Sequence, residues 1–129
     1  MAQILLVDDN VDFRNLLTMV LSAESHGVTC AGNGNDAIRF FLSQEFDLVI
    51  TDLIMPDKEG LELIMELRKE SPDVKIIAMT GGGHQSANSY LSLATAFGVV
   101  KTLAKPFSSE VLLSAVNTAL VATESLGVA

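Results

Sequence analysis

Residues 4–10 read ILLVDDN, and the fold turns on this stretch. An apolar run of this length reads as a buried strand. It runs directly into Asp8 and Asp9. Two adjacent like charges repel, and a buried carboxylate is costly unless it is paired or bound to a metal. The strand therefore ends either in a solvated acidic loop or beside something cationic.

The same grammar repeats along the chain. Strands are predicted at Gln3 to Val7, Val28 to Ala31, Asp47 to Thr51, Val74 to Thr80 and Val99 to Leu103. Leu48-Val49-Ile50 and Ile76-Ile77-Ala78-Met79 are unbroken apolar runs, as expected of parallel strands covered on both faces. Helical periods lie between them. Phe13, Leu16, Leu17, Val20 and Leu21 form the first stripe, and Ala37, Ile38, Phe41 and Leu42 the second. Leu63, Ile64 and Leu67 form the third, ended by Ser71-Pro72-Asp73. Tyr90, Leu93, Ala94 and Phe97, closed by Gly98, form the fourth. The fifth holds Leu112, Ala115, Val116, Ala119 and Leu120, with Ser108 or Ser109 as its N-cap. Five βα units in series predict an α/β fold with a parallel sheet and helices on both faces.

Length and composition narrow the function. With 129 residues, the expectation is one domain spanning 1–129 with no second, output domain. The 49% apolar content supplies its core. A net charge of −8 argues against nucleic acid, which needs basic surface, and against an anionic membrane. Cys30 is the one cysteine, which suits a reducing compartment. There is no signal-peptide pattern and no run long enough to span a bilayer, so a cytoplasmic location is expected.

Ligands of open parallel sheets bind beyond the carboxyl ends of the strands. In this chain those ends carry Asp8 and Asp9, then Asp52, then Thr80, with Lys105 after the fifth strand. Two carboxylates ~5 Å apart repel by about 3 kcal/mol at an effective dielectric of ~20, so such a group calls for a cation. Hard, charged oxygen ligands match Mg²⁺. A carboxylate nucleophile, a metal for oxygens and a lysine for residual charge are what a phosphoryl group requires.

These residues resemble a family. VDDN at 7–10, TDLIMPDKEG at 51–60, Met79-Thr80 and KPF at 105–107 are similar to a CheY-like response-regulator receiver domain of the stand-alone type. The resemblance covers nearly the whole chain. It implies a flavodoxin-like (βα)5 three-layer fold with strand order 2-1-3-4-5. It implies a two-component switch that takes a phosphoryl group on Asp52 from a histidine kinase or a histidine phosphotransfer protein. Asp9 then matches the direct Mg²⁺ ligand and Asp8 a ligand through water, with Asp52 and the backbone carbonyl of Ile54 completing the set. Lys105 matches the lysine that meets the phosphoryl group or Asp52, and Thr80 the switch hydroxyl. The Lys105–Pro106 bond is often cis in the family. Pro56 and Gly60 match a turn and a helix start. The output face would comprise helix 4, strand 5 and helix 5, binding another protein in trans.

Departures from the family pattern are specific. Thr102 stands where the family usually has an aromatic residue or histidine, which puts its rotamer readout in question. Ile54 and Gly82 occupy the positions that tune phosphoryl lifetime, and neither offers a polar side chain to orient water. Slow intrinsic dephosphorylation is therefore expected. Gly81-Gly82-Gly83 reads equally as a mobile switch loop or as a merely pliable one.

Other motifs take blander readings. Gly32 to Ala37 matches G-x-G-x-x-A, but after the second strand rather than the first, so it is read as a turn and helix start. His26 and His84 read as solvated loop histidines, Cys30 as a small buried residue, Tyr90 as helix packing, and Met55 as packing beneath Asp52. Two rival functions stand beside the switch. One is a non-switching pseudo-receiver scaffold, kept open by Thr102. The other is an aspartyl-nucleophile phosphatase, which wants D-x-D on the first strand where this chain has Asp8-Asp9-Asn10.

Overall fold

The computed structural model describes residues 1–55, 60–81, 92 and 95–128, with side chains up to residue 121. The elements run β1 (Gln3–Val7), α1 (Val11–Ala23), β2 (Gly27–Ala31), α2 (Gly34–Ser43), β3 (Leu48–Asp52), α3 (Gly60–Glu70), β4 (Ile76–Thr80), β5 (Lys101–Ala104) and α4 (Ser109–Val128). The helix α4 is the fifth of the predicted helical periods. Most of the fourth, with Tyr90, Leu93 and Ala94, lies outside the described residues, as do Pro56, Gly82, Gly83 and His84. Among the described residues, no helix is long and apolar enough to cross a membrane.

All five strands pair in parallel in the order β2-β1-β3-β4-β5. This is the flavodoxin-like topology that the sequence resemblance implied. Successive side chains of a strand point to opposite faces, and two cores follow from that alternation. Ile4, Leu6, Leu48, Ile50, Ile77 and Met79 meet Leu17 and Leu21 of α1 and Leu112, Ala115 and Val116 of α4. Leu5, Val7, Val49, Ile76 and Ala78 meet Ala37 of α2 and Leu63, Ile64 and Leu67 of α3. Each fully buried aliphatic side chain contributes about 1.5–3 kcal/mol relative to exposure, so strands lined on both sides cannot slip by one residue without exposing both cores.

Several expectations need correction. β3 begins at Leu48, not Asp47, and ends on Asp52 itself. The Asp47 carboxylate instead accepts the Gln3 N–H at 2.8 Å. β2 starts one residue earlier, at Gly27, β4 starts at Ile76 rather than Val74, and β5 occupies Lys101–Ala104 rather than Val99 to Leu103. Leu16 and Leu42 are exposed, because α1 and α2 each bury a narrower stripe than their apolar content suggests. His26 is half-buried, and its Nδ1 accepts the Ala2 N–H at 3.1 Å. Cys30 is only half-buried, with Sγ 3.2 Å from the Thr18 hydroxyl.

Capping fixes where the helices begin. Asn10 Oδ1 accepts the Phe13 N–H at 2.9 Å and Asn33 Oδ1 the Asp36 N–H at 2.8 Å, each satisfying a donor that the first turn leaves free. Ser108, rather than Ser109, caps α4, its Oγ accepting the Val111 N–H at 3.1 Å. Gly98 closes the predicted fourth period at φ +79°, a conformation that favours glycine. Arg68 of α3 fastens this turn to the one before β4: Nε donates to the Phe97 carbonyl at 3.0 Å and Nη2 to the Gly98 carbonyl at 2.8 Å, while Nη1 reaches the carbonyls of Pro72 and Val74.

Candidate functional site

The carboxyl ends of β1, β3, β4 and β5 lie side by side, and the topology delivers their terminal residues to one rim. Asp8 follows β1, and its N–H donates to Ala31 at the end of β2 at 3.1 Å. Its side chain is fully buried. Oδ1 accepts the Asn10 N–H at 2.9 Å and Oδ2 accepts Lys105 Nζ at 2.6 Å. The Asp8 carbonyl accepts Arg14 Nη1 at 2.7 Å. Asp9 is exposed. Asp52 is buried, and its Oδ2 accepts the same Lys105 ammonium at 3.2 Å. The Ile54 N–H reaches Asp52 Oδ1 at a long 3.4 Å, while the Ile54 side chain is exposed. Met55 is buried in the core that holds Leu63, Ile64 and Leu67 of α3.

Lys105 is held from behind as well. Its N–H donates to the Thr80 carbonyl at 2.7 Å, so β4 and β5 register the ammonium against the carboxylates. The Lys105–Pro106 bond is cis. Thr80 is fully buried at the end of β4, and its hydroxyl finds no hydrogen-bond partner among the described residues. A buried hydroxyl without a partner is costly.

Electrostatics sharpen the picture. Burial, which penalises the charged form, raises the Asp52 carboxyl above its ordinary value; Lys105 opposes the rise and the Asp8 charge adds to it. Burial would lower the Lys105 ammonium, but its hydrogen bond to Asp8 and the charges of Asp52 and Asp8 outweigh that and raise it. The lysine is therefore a fixed positive charge.

One oxygen from each of Asp8, Asp9 and Asp52 can be chosen so that all three lie within 4.8 Å of one another. Set against one ammonium, three carboxylates leave two negative charges uncompensated. That charge, the all-oxygen donor set and the exposure of Asp9 fit a hard divalent cation. Lys105→Met is expected to cost the metal-free protein roughly 2 kcal/mol, because it strands the buried Asp8 charge; the figure sits below the ~3–5 kcal/mol of a fully buried pair because Lys105 is 20% exposed. Urea unfolding with and without excess Mg²⁺ checks this. Mg²⁺ is expected to recover most of the loss, and an equal loss in both conditions would mean that the lysine does not share carboxylates with a metal.

The structure thus brings together Asp8, Asp9, Asp52 and Lys105, with Thr80 tied in through the backbone. Sequence reasoning missed three supports. Asn10 both caps α1 and orients Asp8, a role signalled by an Asn just before an apolar helical period. Arg14 grips the Asp8 carbonyl. Phe13 places its ring 4.5 Å from Lys105 Nζ, which no spacing rule signals.

Comparison with known proteins agrees with this arrangement. The response regulator receiver domain pattern matches residues 4–117. The receiver protein CpdR of Brucella abortus is 32% identical over 122 residues, covering 95% of this chain and 99% of CpdR. The transcriptional regulator NtrC of Azospirillum brasilense is 36% identical over 92% of this chain but only 24% of its own length. Against the first curated relatives, the chain spans about a quarter of their length. Among solved structures, TrrA of Thermotoga maritima, determined in complex with Mg²⁺-BeF, superposes with a TM-score of 0.80 and 34% identity, covering 93% of this chain and all of that one. The Asp8, Asp9 and Asp52 cluster is positioned for the phosphoryl chemistry of two-component response regulators, and the chain belongs to the response regulator receiver domain family.

Proposed function

We propose that this protein is a phosphorylation switch in which Asp52 accepts a phosphoryl group from a phosphohistidine of a kinase or phosphotransfer protein. The observation that carries this reading is the shared grip of Lys105 on Asp8 and Asp52 beside the Thr80 hydroxyl, which has no partner among the described residues. An Asp52 carboxylate oxygen attacks phosphorus, the P–N bond to the donor imidazole breaks with its electron pair leaving on nitrogen, and an aspartyl phosphate forms. Mg²⁺, held by Asp9, Asp52, the Ile54 carbonyl and, through water, Asp8, would supply positive charge to the phosphoryl oxygens. Lys105 supplies a second, fixed charge, and the Thr80 hydroxyl gains a partner by turning to the phosphoryl group. That turn is the switch, because Thr80 and Lys105 are joined through the backbone and a shift at one is felt at the other.

The output reading puts a partner protein on the predicted fourth helix, β5 and the last helix; on the last helix alone, Glu110, Ser114, Asn117 and Val121 line a recess of about 620 Å³. Similarity to the receiver protein CpdR over nearly that protein's whole length supports a receiver that acts on a partner in trans.

The test is acetyl phosphate with Mg²⁺, read by intact mass. A single phosphoryl adduct, lost with chelator, is expected. No adduct from folded protein at saturating donor and Mg²⁺ would overturn the switch and favour a scaffold that keeps the fold alone.

A further inference from the structure

We infer that Phe13 is a positioning residue for Lys105: its ring face holds the ammonium at the site after the carboxylates have been given over to metal and phosphoryl group. The inference rests on the phosphoacceptor reading of Asp52.

A lysine ammonium has three donors. Two are accounted for by Asp8 at 2.6 Å and Asp52 at 3.2 Å. The ammonium also lies 4.5 Å from the Phe13 ring centroid, inside the ~6 Å range over which a ring quadrupole attracts a cation. With the Lys105 side chain only 20% exposed, that attraction is little screened. The ring itself is fixed twice. The Phe13 backbone is pinned in the first turn of α1 by the Asn10 cap, and the ring meets Phe107 edge to face, with centroids 5.8 Å apart and planes at 77°. Phe107 lies two residues beyond Lys105, so the chain segment that carries the ammonium also braces the ring beneath it.

The partners differ in kind. Asp8 and Asp52 are ligands that a divalent cation competes for, so their hold on Lys105 weakens when it binds. The ring of Phe13 has no affinity for phosphoryl oxygens and no place in a hard-oxygen metal shell. It is the contact that persists through the reaction, and it stops the flexible lysine stem from swinging out to solvent just when its charge is needed on the phosphoryl group.

The test compares three changes at one position. Phe13→Leu keeps an apolar side chain and deletes the quadrupole. Phe13→Tyr keeps the ring. Incorporation of progressively fluorinated phenylalanine at position 13 keeps the shape and drains the ring face of negative charge. The first readout is the initial rate of adduct formation from acetyl phosphate at saturating Mg²⁺. Phe13→Leu is expected to slow it about three- to tenfold, fluorination to slow it in graded steps, and Phe13→Tyr to stay within about twofold of wild type. The second readout is the ring-current displacement of the Lys105 ε-methylene protons by NMR. It is expected in wild type with and without Mg²⁺, and lost in Phe13→Leu. Equal rates for Phe, Leu and fluorinated rings would overturn the inference and leave Phe13 as packing. Absence of the ring-current displacement would overturn the contact. If wild type forms no adduct, the phosphoacceptor reading falls and this inference falls with it, an outcome distinct from equal rates among variants that all react.

Discussion

Asp52→Asn is expected to abolish the phosphoryl adduct while making the metal-free protein more stable by about 1 kcal/mol, a rise of about 4 °C in Tm. The loss of chemistry follows from the nucleophile: the amide that replaces the carboxylate carries no negative charge with which to attack phosphorus. The gain in stability follows from the same burial. Asp52 titrates above the ordinary carboxyl value because desolvation, reinforced by Asp8, outweighs Lys105. Between the unfolded and the raised folded value, the native state holds a proton that the unfolded chain has released. The stability this lends at low pH is therefore lost as pH rises through the folded value, and at neutral pH the charged side chain stands as a cost. Asparagine fills the same space without the charge, and Lys105 keeps its closer partner, Asp8. Thermal unfolding of both proteins across mildly acidic to neutral pH checks the sign. The advantage of Asn should shrink on acidification and narrow again with Mg²⁺, which binds and stabilises the wild type. An Asn variant less stable than wild type at every pH would show that the Lys105 pairing outweighs burial.

The parallel sheet with helices on both faces was legible because the central strands are apolar on both faces, while the strand order came with the family resemblance. Ile4 to Val7 and Leu48 to Ile50 have no polar side to turn outward, so they admit no solvent-facing position in a sheet. The rim was legible because Asp8, Asp9, Asp52 and Lys105 sit at corresponding ends of strands that a parallel topology must align. The helices were less so. Leu16 and Leu42 satisfy the apolar spacing yet face solvent, since spacing gives the direction of a stripe but not the width that the neighbouring element covers. His26 has the composition of a solvated turn residue; only the return of the chain past Ala2 shows that its nitrogen is an acceptor. Phe13 was read as core because its helical position is consistent with core. Its place under Lys105 depends on a contact across most of the sequence, and no local pattern encodes it.

Gly60→Ala is expected to be the most damaging added methyl group among the described glycines, costing about 3 kcal/mol or more and lowering Tm by roughly 10 °C. A Cβ at this position would run into the Asp52 carbonyl oxygen, 2.5 Å from the Leu53 Cα and 3.0 Å from the Asp52 carbonyl carbon. All three obstacles are backbone, so no side chain can turn away to make room. The approach is close because α3 begins on β3: the Gly60 N–H donates to the Leu53 carbonyl at 2.8 Å, while the Thr51 hydroxyl holds the Asp52 carbonyl at 2.9 Å. Relief must come from displacing either the first turn of α3, which buries Leu63 and Ile64, or the end of β3 with its nucleophile. The damage should therefore appear twice, as lost stability and as slower adduct formation by the protein that remains folded. Gly81 supplies the contrast. It opens the triple-glycine stretch after β4, yet a Cβ there meets nothing within 4 Å. Gly81→Ala is expected to change stability by no more than about 0.5 kcal/mol. Urea denaturation of the two variants alongside wild type separates the cases, and a Gly60→Ala protein as stable as Gly81→Ala would mean that α3 can leave β3 without cost, and with it that Asp52 is not held in place by the helix that follows it.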